Sequence, residues 1–233
     1  MEKLSTKYLI RILLGGVFCL LATHSKGQEE YHRLNIGLGA GINTTYADIA
    51  AEGYGKSILF GLDYHISQYM TAGVAFEKGS FKGNSNTDPR AYTNNYSTFS
   101  FTGRLYSGEF LKSSASTFLH TIFVGSGIGI LSNSISENVR LNTTTGQQYK
   151  GVDAGKDLLI PFTAGFQVPF GNAWGVKKLF LEAGAQYNLT FGEGLDGYYD
   201  PLNDSESRRL DAFGTVYLKL NYRFGRKAVS YKP

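Results

Sequence analysis

The chain has 233 residues, a formal net charge of +4, 29 glycines, 16 tyrosines, 16 phenylalanines and a single cysteine. That length holds one or two domains, and a charged fraction of 18% lies below the roughly 25% usual in soluble proteins. One cysteine excludes a disulfide framework, and the positive balance is no nucleic-acid signal, because it sits mostly in the leading segment.

That segment comes first in the chain. Lys3, Lys7 and Arg11 precede an apolar run over 12–22, and Ser25 and Gly27 stand three before and one before a cleavage point after Gly27. Residues 1–27 therefore read as a secretory signal peptide. The run is shorter than the ~20 residues that span a bilayer. Phe18 before Cys19 is not the small residue of a lipoprotein signal. Removing the segment takes away four basic residues and one acidic one, so +4 becomes +1, and no nucleic-acid partner is expected.

From residue 33 onward apolar and polar residues alternate with period two in eight segments, the pattern of strands with two unlike faces. In chain order they are 33–43, 56–66, 69–78, 95–106, 117–131, 157–168, 178–191 and 211–224. The last contains "TVYLKLNYRFG", with Val216, Leu218, Leu220, Tyr222 and Phe224 on one parity and Thr215, Tyr217, Lys219, Asn221 and Arg223 on the other. Connections after the second, fourth and sixth segments read as short. Those after the first, third, fifth and seventh read as longer and rich in Gly, Asn, Asp, Ser and Thr. This predicts an all-β, transmembrane, up-and-down antiparallel barrel of about eight strands over 28–224, followed by a tail over 225–233.

Three features assign the apolar face to lipid. The segments mostly reach ten or more residues, close to the 9–11 that cross a bilayer at a tilt. The polar parity is mainly Gly, Thr, Ser and Asn, unlike a solvated surface. Aromatics gather near the segment ends, Tyr64, Tyr69, Tyr106, Phe118, Trp174, Tyr222 and Phe224 towards the turns and Phe76, Phe81, Tyr96 and Phe191 towards the loops, as in interfacial girdles. A soluble barrel would instead expose Gly and Thr and line its cavity with Leu and Phe.

The inward parity carries Asp63, Glu77, Arg104, Glu182, Lys219 and Arg223, three acids and three bases, which are expected to pair in a lumen that side chains fill. A plugged barrel follows, not an open pore. The glycines of "GLGAGI" and "GSGIGI" (Gly37, Gly39, Gly41; Gly125, Gly127, Gly129) recur every second residue with no helix after them, so they read as room for large lumen side chains, not as a phosphate loop. His65 and Ser67 form an H-x-S pair, but at the turn end of the second segment, away from an outer-leaflet substrate, and His120 is likewise at a turn end. No catalytic residue, cofactor or metal site is expected: Asp196, Asp200, Asn203 and Asp204 lack the spacing of a calcium loop. The N-x-S/T triplets at Asn43, Asn142, Asn188 and Asn203 read as chance matches. Arg208 and Arg209 are candidates for contact with lipopolysaccharide phosphates.

The signal with Gln28 as new N-terminus, the eight segments and "LKLNYRF" together resemble the outer-membrane β-barrel domain family, the small OmpA-like and OmpW-like barrels and the PorT-like proteins of Bacteroidota, over about 28–224. The resemblance implies a monomer in the bacterial outer membrane, in contact with its lipid and lipopolysaccharide. It also implies delivery by the outer-membrane assembly machinery, with Tyr222 and Phe224 as the aromatic end that machinery recognises. The implied role is structural or surface interaction, with a narrow solute channel and a lipid-modifying enzyme as alternatives.

Overall fold

The computed structural model describes residues 29–46, 54–84, 91–111, 118–138, 146, 150–151, 154–169, 178–192, 195, 198–199 and 211–230. Residues 1–28, Trp174, Asp196, Asp200, Asn203 and Asp204 of the acidic cluster, Asn142, and Arg208 with Arg209 lie outside them. By contacts the chain divides into His32–Arg226, which is the barrel, and a small unit of Met1–Tyr31 with Lys227–Pro233.

Among the described residues ten strands follow in chain order: β1 Glu29–Tyr46, β2 Gly55–His65, β3 Met70–Asn84, β4 Ala91–Tyr106, β5 Ile122–Asn138, β6 Lys150–Gly151, β7 Ala154–Pro169, β8 Leu179–Thr190, β9 Tyr198–Tyr199 and β10 Ala212–Ser230. Eight close into one barrel in the order β1-β10-β8-β7-β5-β4-β3-β2, each antiparallel to its chain neighbours, so every interior strand finds both partners and no edge is left open. The eight alternating segments are thus the eight barrel strands. The remaining pair, β6 and β9, forms a separate two-stranded ribbon. Its strands are two residues each, too short to carry a period.

Most strands outrun their apolar segments. β3 and β4 stay paired up to Asn84↔Ala91, so the connection after β3 is only 85–90, whereas that after β4 spans 107–121 with two 3-10 turns, Ser107–Glu109 and Leu119–Thr121. The expected alternation of connection lengths therefore fails at this pair: 79–84 and 91–94 read as loop because outward positions such as Ser80, Lys82 and Thr93 carry no large apolar side chain, yet the ladder continues through them as a hairpin arm, with Phe81 and Tyr92 on the inward parity. β10 likewise runs past Phe224. At Gly225 the backbone turns left-handed (φ 88°), a conformation that suits glycine, and the Gly225 carbonyl lies 3.1 Å from His32 Nδ1 on β1.

Register aligns the outward side chains into a belt. Leu38, Phe60, Phe76, Phe99, Ile130 and Leu158 stand opposite one another across five successive strand pairs, and all are exposed. Leu218, the outward residue of the last barrel strand, is 57% exposed, while its chain neighbours Tyr217 and Lys219 are 3% and 4% exposed. At the height of this belt the apolar side chains are outside, while Arg104, Glu182 and Lys219 are buried inside, the inverse of a soluble barrel.

Candidate functional site

The lumen is built in layers along the barrel axis. At the turn end Tyr69, Tyr106 and Phe123 pack into one apolar cluster, with the His65 ring stacked 6.5 Å from Tyr106 and His120 6.3 Å from Tyr69. Tyr69 and Tyr106 were expected in the outer girdle. They are buried because the parity of their residues, not their nearness to a strand end, fixes the face.

Above this cluster lies the charged layer, centred on Glu182 of β8, whose side chain is wholly buried. Arg104 Nη1 of β4 is 3.3 Å from both carboxylate oxygens, and Lys219 Nζ of β10 is 3.0 Å from Oε1. Tyr217 and Asn221 of β10 and Gln167 of β7 donate to the same carboxylate at 3.0, 3.0 and 2.7 Å. Arg104 also reaches Asp63 of β2 at 3.8 Å, and Asn35 of β1 donates to Asp63 and to Asn221. One carboxylate thus takes two cations and three neutral donors, which is the coordination a charge needs to tolerate removal from water. The room for this comes from glycine: a Cβ built on Gly37 would lie 2.9 Å from Lys219 Cε, and one on Gly125 2.9 Å from Arg104 Cγ.

Two of the six expected charges do not join ion pairs among the described residues. Arg223 donates to Gln167 Oε1 at 2.7 Å and stacks on the Phe180 ring at 3.9 Å. Glu77 accepts from Tyr96 (2.7 Å), Thr215 (2.9 Å) and Gln186 (3.4 Å). The expected three-against-three pairing is corrected accordingly. Glu77 meets Thr215 while Arg223 sits eight residues further along β10, ~26 Å along the strand at about 3.3 Å per residue, too far for a contact.

The loop end closes with a second apolar layer of Phe81, Tyr92, Tyr96, Leu131, Leu159, Leu195 and Phe213. The Phe81 and Tyr96 rings stack at 4.2 Å, and Phe213 leans on both at 5.1 Å. Phe81 and Tyr96, too, were expected in the outer girdle and lie inside, on the parity opposite Phe76 and Phe99. Leu195 belongs to the connection between β8 and β10. Its amide donates to Asp211, its carbonyl accepts from Asn94 at 2.7 Å, and its side chain completes the layer. Sequence periodicity carried no sign of this residue, since it stands outside every strand.

Of the girdle residues, Tyr64, Phe76, Phe118, Phe191 and Tyr222 are exposed as expected. Tyr222 and Phe224 stack on each other at 5.9 Å near the turn end of β10. Asn188 of the N-x-S/T triplets faces the lumen, fully buried. Ser67 accepts from the Tyr69 amide at 3.2 Å within the β2–β3 turn, and His65 is buried in the lumen.

No family model matches the chain, and no curated protein matches it. Among solved structures it is similar to Neisserial surface protein A, at 9% identity and a TM-score of 0.48 over 85% of this chain and 100% of that one. It is also similar to Ail, the attachment invasion locus protein of Yersinia pestis, solved with the heparin analogue sucrose octasulfate, at 13% and 0.45 over 83% and 99%. A third is the outer-membrane protein OprG of Pseudomonas aeruginosa, at 7% and 0.39 over 84% and 98%. The argument for a membrane is internal to the chain. A closed ladder leaves no unpaired backbone for lipid to meet, and its outer face is a continuous apolar belt, so the protein is an eight-stranded outer-membrane β-barrel.

Proposed function

We propose that this barrel is a closed anchor that holds its loops at the cell surface, with a structural or surface-interaction role and not a transport role. One observation carries the reading: the lumen is filled by an apolar layer at each end with a charged layer centred on the Glu182 carboxylate between them. A conducting path would have to pass Phe81, Tyr96 and Phe213, then the Arg104–Glu182–Lys219 contacts, then Tyr106 and Phe123. A narrow solute channel is therefore the weaker reading. An enzymatic role is weaker still, because His65 and Ser67 sit at the end opposite the loops. The same reading takes the barrel as a monomer in outer-membrane lipid, delivered by the assembly machinery through Tyr222 and Phe224.

The test is electrical. The purified barrel, refolded into a planar lipid bilayer and verified by its boiling-dependent gel shift, is expected to give no unitary conductance steps. Reproducible steps that change with Lys219→Gln would overturn the closed-anchor reading in favour of the channel.

A further inference from the structure

The outer face is not evenly covered by large residues. Where β7, β8 and β10 run side by side, the outward positions are small: Ala164 pairs with Ala185, Ala185 pairs with Val216, and Gly214 follows two residues nearer the loops. The backbone there forms the floor of a groove of about 460 Å³, within the ~300–1,000 Å³ range of small-molecule sites. Its walls are aromatic: Phe162 and Tyr187 face each other across the β7–β8 pair, and the Tyr46 ring lies 6.0 Å from that of Tyr187 and leans over Gly214. Groove and walls lie in the loop-end half of the barrel, since Gly214 and Tyr46 are near the loop ends of β10 and β1.

A cationic rim adjoins the groove. Ile42, which lines it, is the register partner of Lys56 on β2, and Ile58, two residues further along β2, is the partner of Lys78 on β3. Lys82 continues the same outward parity of β3. All three lysines are exposed, and none has an ion-pair partner among the described residues. Unpaired ammonium groups on a lipid-facing parity just beyond an apolar belt are placed to meet anionic headgroups while their stems lie along hydrocarbon.

We propose that the groove over Ala164, Ala185 and Gly214 holds one acyl chain of a phospholipid of net negative charge, whose headgroup is received by Lys56 and Lys78. The inference rests on the reading that this face meets lipid, and charge complementarity selects the occupant: an apolar slot that opens beside two free ammonium groups matches a hydrocarbon chain ending in a phosphate. Hydrophobic driving force is absent inside a bilayer, so the gain comes from van der Waals contact. A chain seated between aromatic walls over small residues makes more contact than one sliding over a convex belt.

The test uses the full barrel, folded into vesicles of phosphatidylcholine with a minor share of phosphatidylglycerol, extracted in mild detergent and weighed intact by native mass spectrometry. One retained phosphatidylglycerol per barrel is expected, in preference to phosphatidylcholine. Ala185→Phe, which fills the groove from outside without touching the lumen, is expected to abolish retention of both lipids. Gly214→Leu is the second groove variant, since a Cβ there meets Tyr46 only at an ordinary 3.5 Å. Lys56→Gln with Lys78→Gln is expected to keep a lipid and lose the headgroup preference. Unchanged retention in both groove variants would overturn the groove, no preference in the parent would overturn the cationic rim, and a two-chain mass lost on Ala185→Phe would assign the groove to a second copy. Each variant is first scored for vesicle insertion and the boiling-dependent shift. A parent barrel that failed those would count against the membrane reading itself, and one that passed but retained no lipid would sink only this inference.

Discussion

Glu182 is the residue on which most of the interior depends. It receives Arg104 and Lys219 together with three neutral donors, and its side chain is wholly buried. Removing one partner from such a cluster leaves uncompensated charge, which costs about 3–5 kcal/mol. Glu182→Ala is accordingly expected to lower the unfolding free energy of the vesicle-folded barrel by that amount, read from urea titrations followed by tyrosine fluorescence or band shift. Glu77 offers the contrast. Its partners are Tyr96, Thr215 and Gln186, all neutral, so Glu77→Gln strands no cation and is expected to cost within ~1.5 kcal/mol, the net worth of an ordinary hydrogen bond. Equal losses for the two substitutions would show that the ion pairs are not what distinguishes Glu182. The sequence already placed both acids on the inward parity. Their partners were not legible there, because pairing depends on height along the barrel, which is set by the stagger between strands and not by parity alone.

A strand of this barrel has two faces with opposite requirements, and substitutions should follow the face. Ile130 is outward, 55% exposed and midway along β5, so Ile130→Lys is expected to destabilise the barrel by ~2–4 kcal/mol in vesicles. Phe123, on the inward face of the same strand and 1% exposed, is expected to cost ~3–5 kcal/mol as Phe123→Ala, through the cavity it leaves. A similar loss for Ile130→Lys in detergent micelles and in a thick bilayer would argue against a lipid belt. Period two made the outward Leu38, Phe60 and Leu218 readable from sequence. The same rule, applied strictly, would have turned Tyr69, Phe81, Tyr96 and Tyr106 inward. They were assigned to the girdle by position along the strand, and only the closed register shows that four of the largest rings are plugs. The groove was illegible for a related reason: Ala164, Ala185 and Gly214 are unremarkable alone and become a concavity only when three strands bring them together.

For the molecule as a whole, the two apolar layers act in series. Opening the loop-end layer with Phe81→Ala and Phe213→Ala still leaves Tyr106 and Phe123 across the turn end. The double variant is expected to remain non-conducting in a planar bilayer while losing stability, and conductance from it would show that the turn-end layer does not seal. The charged layer between them joins β1, β2, β4, β7, β8 and β10 through one connected set of contacts, so strands distant in sequence share a single stabilising centre. Unfolding is therefore expected as one cooperative transition, with coincident midpoints by band shift and by tyrosine fluorescence.

The ribbon of β6 and β9 bears on how this surface can be altered. Lys150–Gly151 and Tyr198–Tyr199 come from different connections, those after β5 and after β8, and among the described residues each is the other's ladder partner. A transplant of either connection into another barrel leaves its half of the ladder bare. The two connections are thus one module for grafting, tagging or diversification, to be exchanged together or left in place.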